Sequence, residues 1–407
     1  MKLFDKSSAE QKTTDSPKTE KIHLSGDDFA AQNPYYAMIA RGYQIAQMTF
    51  FGLLAAFIIL SMLIRSDEIT YENFFYLFKD IHAAVDSEDI TFQTLIYNAD
   101  ETQDFATYRG GLVVAGESGL TVFSATGRQT MIQPLNMSSP KLLTSDRCIM
   151  VYELNGTNFA LYNSFVRMTS GETDMPIRCA AISDGGWFTL SSQEGANAKV
   201  SVYDKHSKLT TEHFINGYVT ALSLTPSGEQ LAILSTDATD GQFLTKLTIY
   251  RTGTDEKVFE VCFDQFFPLA CEFADNNTLY LSATDRMLVL NRSGEITVDA
   301  TFSTPIDRVF YSPNGYAVLT DDTTLMLYHK DGSFIGQRAD MENVRSVLIG
   351  DDLIYMMTEY SLIRYSIQSG QGNWYEYKYP LQKLLWYSED ELLLCSRSTA
   401  RFIQTQP

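Results

Sequence analysis

This sequence is short of the residues that usually announce chemistry. Its 407 residues hold five histidines, five cysteines and three tryptophans. None of the histidines stands in a Ser-His-Asp or HExxH setting, which excludes the common hydrolase and zinc-protease patterns. His206, His213 and His329 read as solvated turn residues. The cysteines (Cys148, Cys179, Cys262, Cys271, Cys395) are odd in number and show no CxxC spacing, so neither a zinc ribbon nor a disulfide framework is expected. Most fall in apolar strand patterns, Cys179 and Cys271 at one repeat position, and count as small buried hydrophobes. Positive charge is scarce too: 31 Lys and Arg face 50 Asp and Glu, a net charge of −19. Such a surface repels phosphate backbones and excludes nucleic acid as a partner, while a cation or a basic polymer remains compatible.

Long hydrophobic runs are almost absent. The single exception is Ile45 to Ile64 (IAQMTFFGLLAAFIILSMLI), which has no ionisable group and is flanked by Arg41 and Arg65. At 1.5 Å rise per residue it extends about 30 Å, the thickness of a hydrocarbon core. Tyrosines and phenylalanines on both flanks suit the interfacial aromatic belts. No small-x-small cleavage site follows, so the segment reads as a signal anchor rather than a cleaved leader. Residues 1–44 then form a polar, disordered tail whose six bases (Lys2, Lys6, Lys12, Lys18, Lys21, Arg41) balance its six acids. A short basic tail places the N-terminus in the cytoplasm and the remainder outside, in a single-pass cell-membrane protein. From 67 to 87, Phe74, Leu77, Phe78, Ile81 and Val85 recur at helical spacing, the pattern of a juxtamembrane amphipathic helix.

The remaining stretch, 88–407, is repetitive. An aliphatic strand ending in a Gly/Asp/Asn/Ser turn recurs at roughly 38-residue intervals, the signature of a β-propeller with one four-stranded blade per repeat. Six copies are clear: IRCAAISDGG from Ile177, VTALSLTPSG from Val219, LACEFADNN from Leu269, IDRVFYSPNG from Ile306, VRSVLIGDD from Val344 and LQKLLWYSED from Leu381. Weaker copies start at Phe105 and Lys141. Thr126–Gly127, Ser293–Gly294, Asp331–Gly332 and Ser369–Gly370 provide the turns after the third strands. The last repeat has only three strands, and Ile90–Tyr97 (ITFQTLIY) alternates as a strand should, so it is expected to supply the missing outer strand and close the ring. The fold class is therefore all-β, an eight-bladed propeller with seven blades as the fallback, preceded by one transmembrane and one juxtamembrane helix.

The inner-strand pattern resembles WD-type blades, though Gly-His is missing and only Tyr203–Asp204 echoes Trp-Asp. SGQGNW at Ser369–Trp374 is similar to the docking motif of quinoprotein propellers, but in one blade alone, so no quinone is expected. The whole arrangement resembles an uncharacterised family of single-pass, membrane-anchored β-propeller proteins from Gram-positive bacteria, a domain of unknown function. That resemblance covers the span and all that follows, and implies fold and location without an active site.

No catalytic, cofactor-binding or metal-binding residue stands out. The Asp237–Gly241 loop lacks the alternating ligands of a calcium loop. The residue after each aliphatic starter should lie at the mouth of the central channel, the default ligand site of such a ring. These residues are Arg178, Thr220, Ala270, Asp307, Arg345 and Gln382, with Arg308 and Lys383 beside them. Mixed Arg, Lys and Asp would suit a carboxylate-bearing ligand. The expected function is a module binding a protein or an envelope component. An envelope-polymer enzyme at the channel mouth and a transmembrane sensor are the alternatives.

Overall fold

The structure, a computed structural model, describes residues 34–64, 94–239, 242–312, 314–387 and 391–404. Residues 1–33 of the expected tail, the expected juxtamembrane helix and Ile90–Gln93 lie outside the described residues. Helix α1 spans Pro34–Ile64 and starts on the residue type best suited to a first helical position, since proline has no N–H to leave unpaired. Its large apolar side chains, from Met48, Phe50 and Phe51 to Leu53, Leu54 and Phe57, are exposed. Among the described residues no helix is long and apolar enough to cross a membrane. Within the expected span the described side chains run without a break only as far as Phe57. The helix belongs to one compact unit and all the strands to a second.

The second unit is a propeller of eight four-stranded antiparallel sheets. Blades 1 to 7 are continuous meanders over residues 103–133, 140–172, 177–216, 218–264, 268–301, 306–338 and 346–376. Blade 8 combines three strands from residues 381–404 with Leu95–Ile96, which pairs on the outside with Thr399 and Ala400. The expected closure by the early strand is thus present. Tyr97 extends it, its amide donating to Ser398 O (3.1 Å) and its hydroxyl to Ser396 O (2.7 Å).

Each blade's second strand is buried along nearly its whole length, as in Gly111–Gly116 and Gly315–Thr320. Continuous burial follows because both faces of a blade are covered by its neighbours, so the residues read as apolar runs rather than alternating patterns. The apolar side chains gather into eight clusters, one at each junction. Val113 and Leu120 of blade 1 meet Leu142 and Ile149 of blade 2. Leu393 and Cys395 of blade 8 meet Phe105 and Leu112 of blade 1. A complete circuit of such junctions removes the exposed faces that would otherwise invite aggregation. The turns follow the sequence: Gly127, Gly294, Gly332 and Gly370 all adopt positive φ, between 66° and 84°.

Two faces result. The entry face holds the beginnings of the inner strands, the connections between blades and the hairpins joining second to third strands. The turn face holds the remaining turns.

Candidate functional site

The entry-face ring is built by a repeated irregularity. In blades 3, 4, 6 and 8 the pairing of first and second strands skips Arg178, Thr220, Asp307 and Gln382. Each of these residues is a β-bulge, the device that re-aims a side chain out of the ladder. Blade 5 carries the same bulge at Leu269 rather than at Ala270, because Pro268 takes the starter's place. The slip also separates the two cysteines: Cys179 follows its bulge directly, whereas Cys271 comes two residues after its own. In blade 7 Arg345 sits just ahead of the strand Ser346–Ile349.

The basic residues of this ring reach across blade junctions. Arg308 Nη1 donates to Val344 O (3.3 Å) at the start of blade 7. Arg345 Nη1 donates to Leu381 O (2.6 Å) at the start of blade 8, and its Nη2 pairs with Glu359 (3.0 Å). Lys383 in blade 8 pairs with Asp104 in blade 1 (2.8 Å). Arg178 donates to Asn155 of blade 2, and Thr220 Oγ1 bonds Leu234 O (3.1 Å) within its own blade. The guanidinium and ammonium groups expected to meet a ligand therefore stitch neighbouring blades together. Asp264, Asp285, Asp307 and Asp321 remain exposed on this face.

Apolar groups complete the rim. Tyr218 opens the inner strand of blade 4 and Phe267 precedes that of blade 5; they and Leu269 are exposed. Phe267 stacks on Phe243, 4.6 Å between centroids, from the long hairpin of blade 4. Tyr360 and Tyr379 stand exposed on the same face in blade 7 and the connection after it.

Glu272 stands on the inner strand of blade 5, facing the channel. Its side chain reaches solvent, yet protein encloses the channel, and this desolvation raises its carboxyl to about 7. Its electrostatic neighbours include Tyr280, Tyr311 and Cys271. The folded carboxyl holds its proton at pH values where the unfolded one has lost it, so stability is full below about pH 4.5 and falls as pH rises to about 7. The upward shift, discounted for solvent access, corresponds to about 1 kcal/mol. Glu272→Gln is expected to remove that decline and raise stability at pH 8, which denaturation across a pH series will measure. A variant that keeps the native slope would place the titration elsewhere.

Two residue types behave differently from expectation. His213 is not a solvated turn residue: it is 6 % exposed in the outer strand of blade 3, stacked on Tyr250 at 4.1 Å, and burial lowers its pKa. The five cysteines form no disulfide, and burial pushes the Cys179 and Cys395 thiols up to about 12, which keeps them protonated and unreactive. Cys262 is exposed. Among the described residues no cluster of His, Cys, Asp and Glu could hold a metal ion.

The turn face carries a cleft that sequence reasoning missed. Trp187, Gly228, Gln230, Arg251, Thr252 and Arg292 line it, and they come from blades 3, 4 and 5. The only hint in the sequence was Trp187 itself, one of three tryptophans, directly after a Gly-Gly turn.

Residues 86–405 match a family described only as a family of unknown function, DUF5711. The chain belongs to DUF5711. No curated protein matches it. Among solved structures, this DUF5711 propeller is similar to the computationally designed Ika8 protein, with a TM-score of 0.62, 14% identity, and coverage of 77% of this chain and 99% of that one. It is also similar to BamB from Moraxella catarrhalis (TM-score 0.58, 11% identity, 77% and 98% covered). Saccharomyces cerevisiae Sqt1 is a third (TM-score 0.59, 8% identity, 78% and 99% covered). At such identities the likeness concerns the fold alone.

Proposed function

We propose that this DUF5711 protein is a membrane-anchored, extracytoplasmic, non-catalytic docking module that binds a protein or an envelope component on the entry face of its propeller. One observation carries the reading. Tyr218, at the start of the inner strand of blade 4, and Phe267 and Leu269, at the start of that of blade 5, are exposed on one face among exposed aspartates. Aromatic and aliphatic anchors within a charged rim are the composition of a binding surface. Arg308, Arg345 and Lys383 are engaged in inter-blade bonds while Asp264, Asp285, Asp307 and Asp321 stay exposed, so the fitting partner is apolar with a basic surround. The anchor rests on the uncharged run Ile45–Ile64 and on the exposed apolar side chains of α1, because a helix apolar on all sides belongs in protein or lipid.

The test crosslinks the full-length protein in its native cells and compares it with a Tyr218→Ala, Leu269→Ser variant. Both positions are exposed, so the variant is expected to melt with the native protein. A membrane or envelope component recovered with the native chain should fall about tenfold with the variant, the loss of one or two interface anchors. Identical recovery from both would sink the docking face. Periplasmic or extracellular protease protection of the propeller, with the tail cleaved instead, would overturn the orientation.

A further inference from the structure

The turn-face cleft of about 630 Å³ is a built site that the docking reading does not use. Trp187 forms one wall. Its indole lies against Gly228 and Gly253, where any Cβ would strike the ring, and both glycines hold positive φ (78° and 74°). Glycine is thus required twice over, for the turn and for the space the indole occupies. Gln230 and Thr252 also line the cleft and are 5 % and 8 % exposed. Gln230 Oε1 and Thr252 Oγ1 have no hydrogen-bond partner. A buried polar atom without a partner destabilises the fold, and two at one cleft call for a reason other than folding.

Charge defines what would satisfy them. Arg251 is the cross-strand partner of Gln230, and it pairs with Glu256 (3.0 Å). Arg292 pairs with Glu229 (2.5 Å). Each guanidinium has five donors in a planar fork, so both keep donors for a planar anion. With two carboxylates already present, the four groups sum to zero, which suits a singly charged carboxylate better than a phosphate. The unpartnered Gln230 oxygen accepts only, so the ligand must bring a donor such as a hydroxyl. The indole offers a flat apolar plate for a ring.

We propose that this cleft binds a uronic-acid saccharide, with a sugar ring on Trp187, its carboxylate at Arg251 and Arg292, and ring hydroxyls at Gln230 and Thr252. The site is independent of the entry face, and either reading can fail without the other.

Calorimetric titration of the full chain in detergent tests it, with oligoglucuronate as the probe and uncharged oligoglucose and benzoate as comparisons. Oligoglucuronate is expected to bind and oligoglucose to bind at least about tenfold more weakly, the value of a charge-assisted fork. Thr252→Val should weaken oligoglucuronate about tenfold while the melting temperature holds or rises, because the variant removes an unpaired buried hydroxyl. A purely structural threonine would leave affinity unchanged. Arg292→Gln should weaken binding about tenfold and flatten its salt dependence. Equal binding of the charged and uncharged oligosaccharides, no binding at millimolar probe, or full affinity in Thr252→Val would each overturn the proposal. Benzoate binding as tightly as oligoglucuronate would overturn the saccharide assignment.

Discussion

Tyr97→Ala is expected to lower the stability of the propeller by about 4 kcal/mol, the range for deleting a buried aromatic side chain. Tyr97 is 7 % exposed, packs its ring on Phe105 at 5.6 Å, and sits in the cluster that joins blade 8 to blade 1. Among the described residues the strand it extends pairs only through Leu95 and Ile96, with the Tyr97 amide adding one bond, so side-chain burial carries much of the seam. Tyr97→Phe keeps the ring and loses only the bond to Ser396 O, so about 1 kcal/mol is expected. Denaturant unfolding of the two variants measures the ratio. If alanine and phenylalanine cost the same, the hydroxyl rather than the packed ring closes the circle. A variant with an open seam should also be cut by protease near Leu95 before the rest of the domain unfolds.

The features legible in the sequence are those that repeat locally. Third strands such as Met287–Leu290 and Leu362–Tyr365 fall inside observed strands, since their apolar residues and following glycines sit at fixed offsets. The closing strand was legible because one repeat lacked a partner and one orphan segment alternated. What stayed hidden depends on register. A bulge changes no residue type, so nothing in LACEFADNN distinguishes Leu269 from Ala270 as the displaced residue; only pairing with Ala283 and Ser282 decides it. His213 reads as solvated because it flanks a turn with His206, whereas Tyr250 from the next blade stacks on it and its strand buries it. The cleft was illegible for a related reason. Trp187, Gln230 and Arg292 belong to three blades, and no spacing rule relates residues brought together by the circular arrangement.

Asp104→Ala tests the second lock on the same seam and is expected to cost about 3 kcal/mol. The Asp104 carboxylate accepts from the Leu142 amide of blade 2 (3.0 Å), from the Phe105 amide (2.9 Å) and from Lys383 of blade 8 (2.8 Å), so one side chain ties three blades. Its side chain is 17% exposed and that of Lys383 37%, so solvent screens the lysine more than the aspartate. The effects should therefore be unequal. Lys383→Met leaves Asp104 its two backbone donors and should cost about 1 kcal/mol, whereas Asp104→Ala removes the acceptor of two amides and an ammonium together. In the double variant the lysine has nothing left to lose, and its loss should approach that of Asp104→Ala alone, a coupling close to the whole effect of the lysine. Additive costs in the cycle would show that the two charges act separately and that the backbone bonds alone make Asp104 matter. Because the aromatic lock lies in the apolar junction and this one on the entry face, Tyr97→Ala and Asp104→Ala together should open a ring that neither opens fully alone.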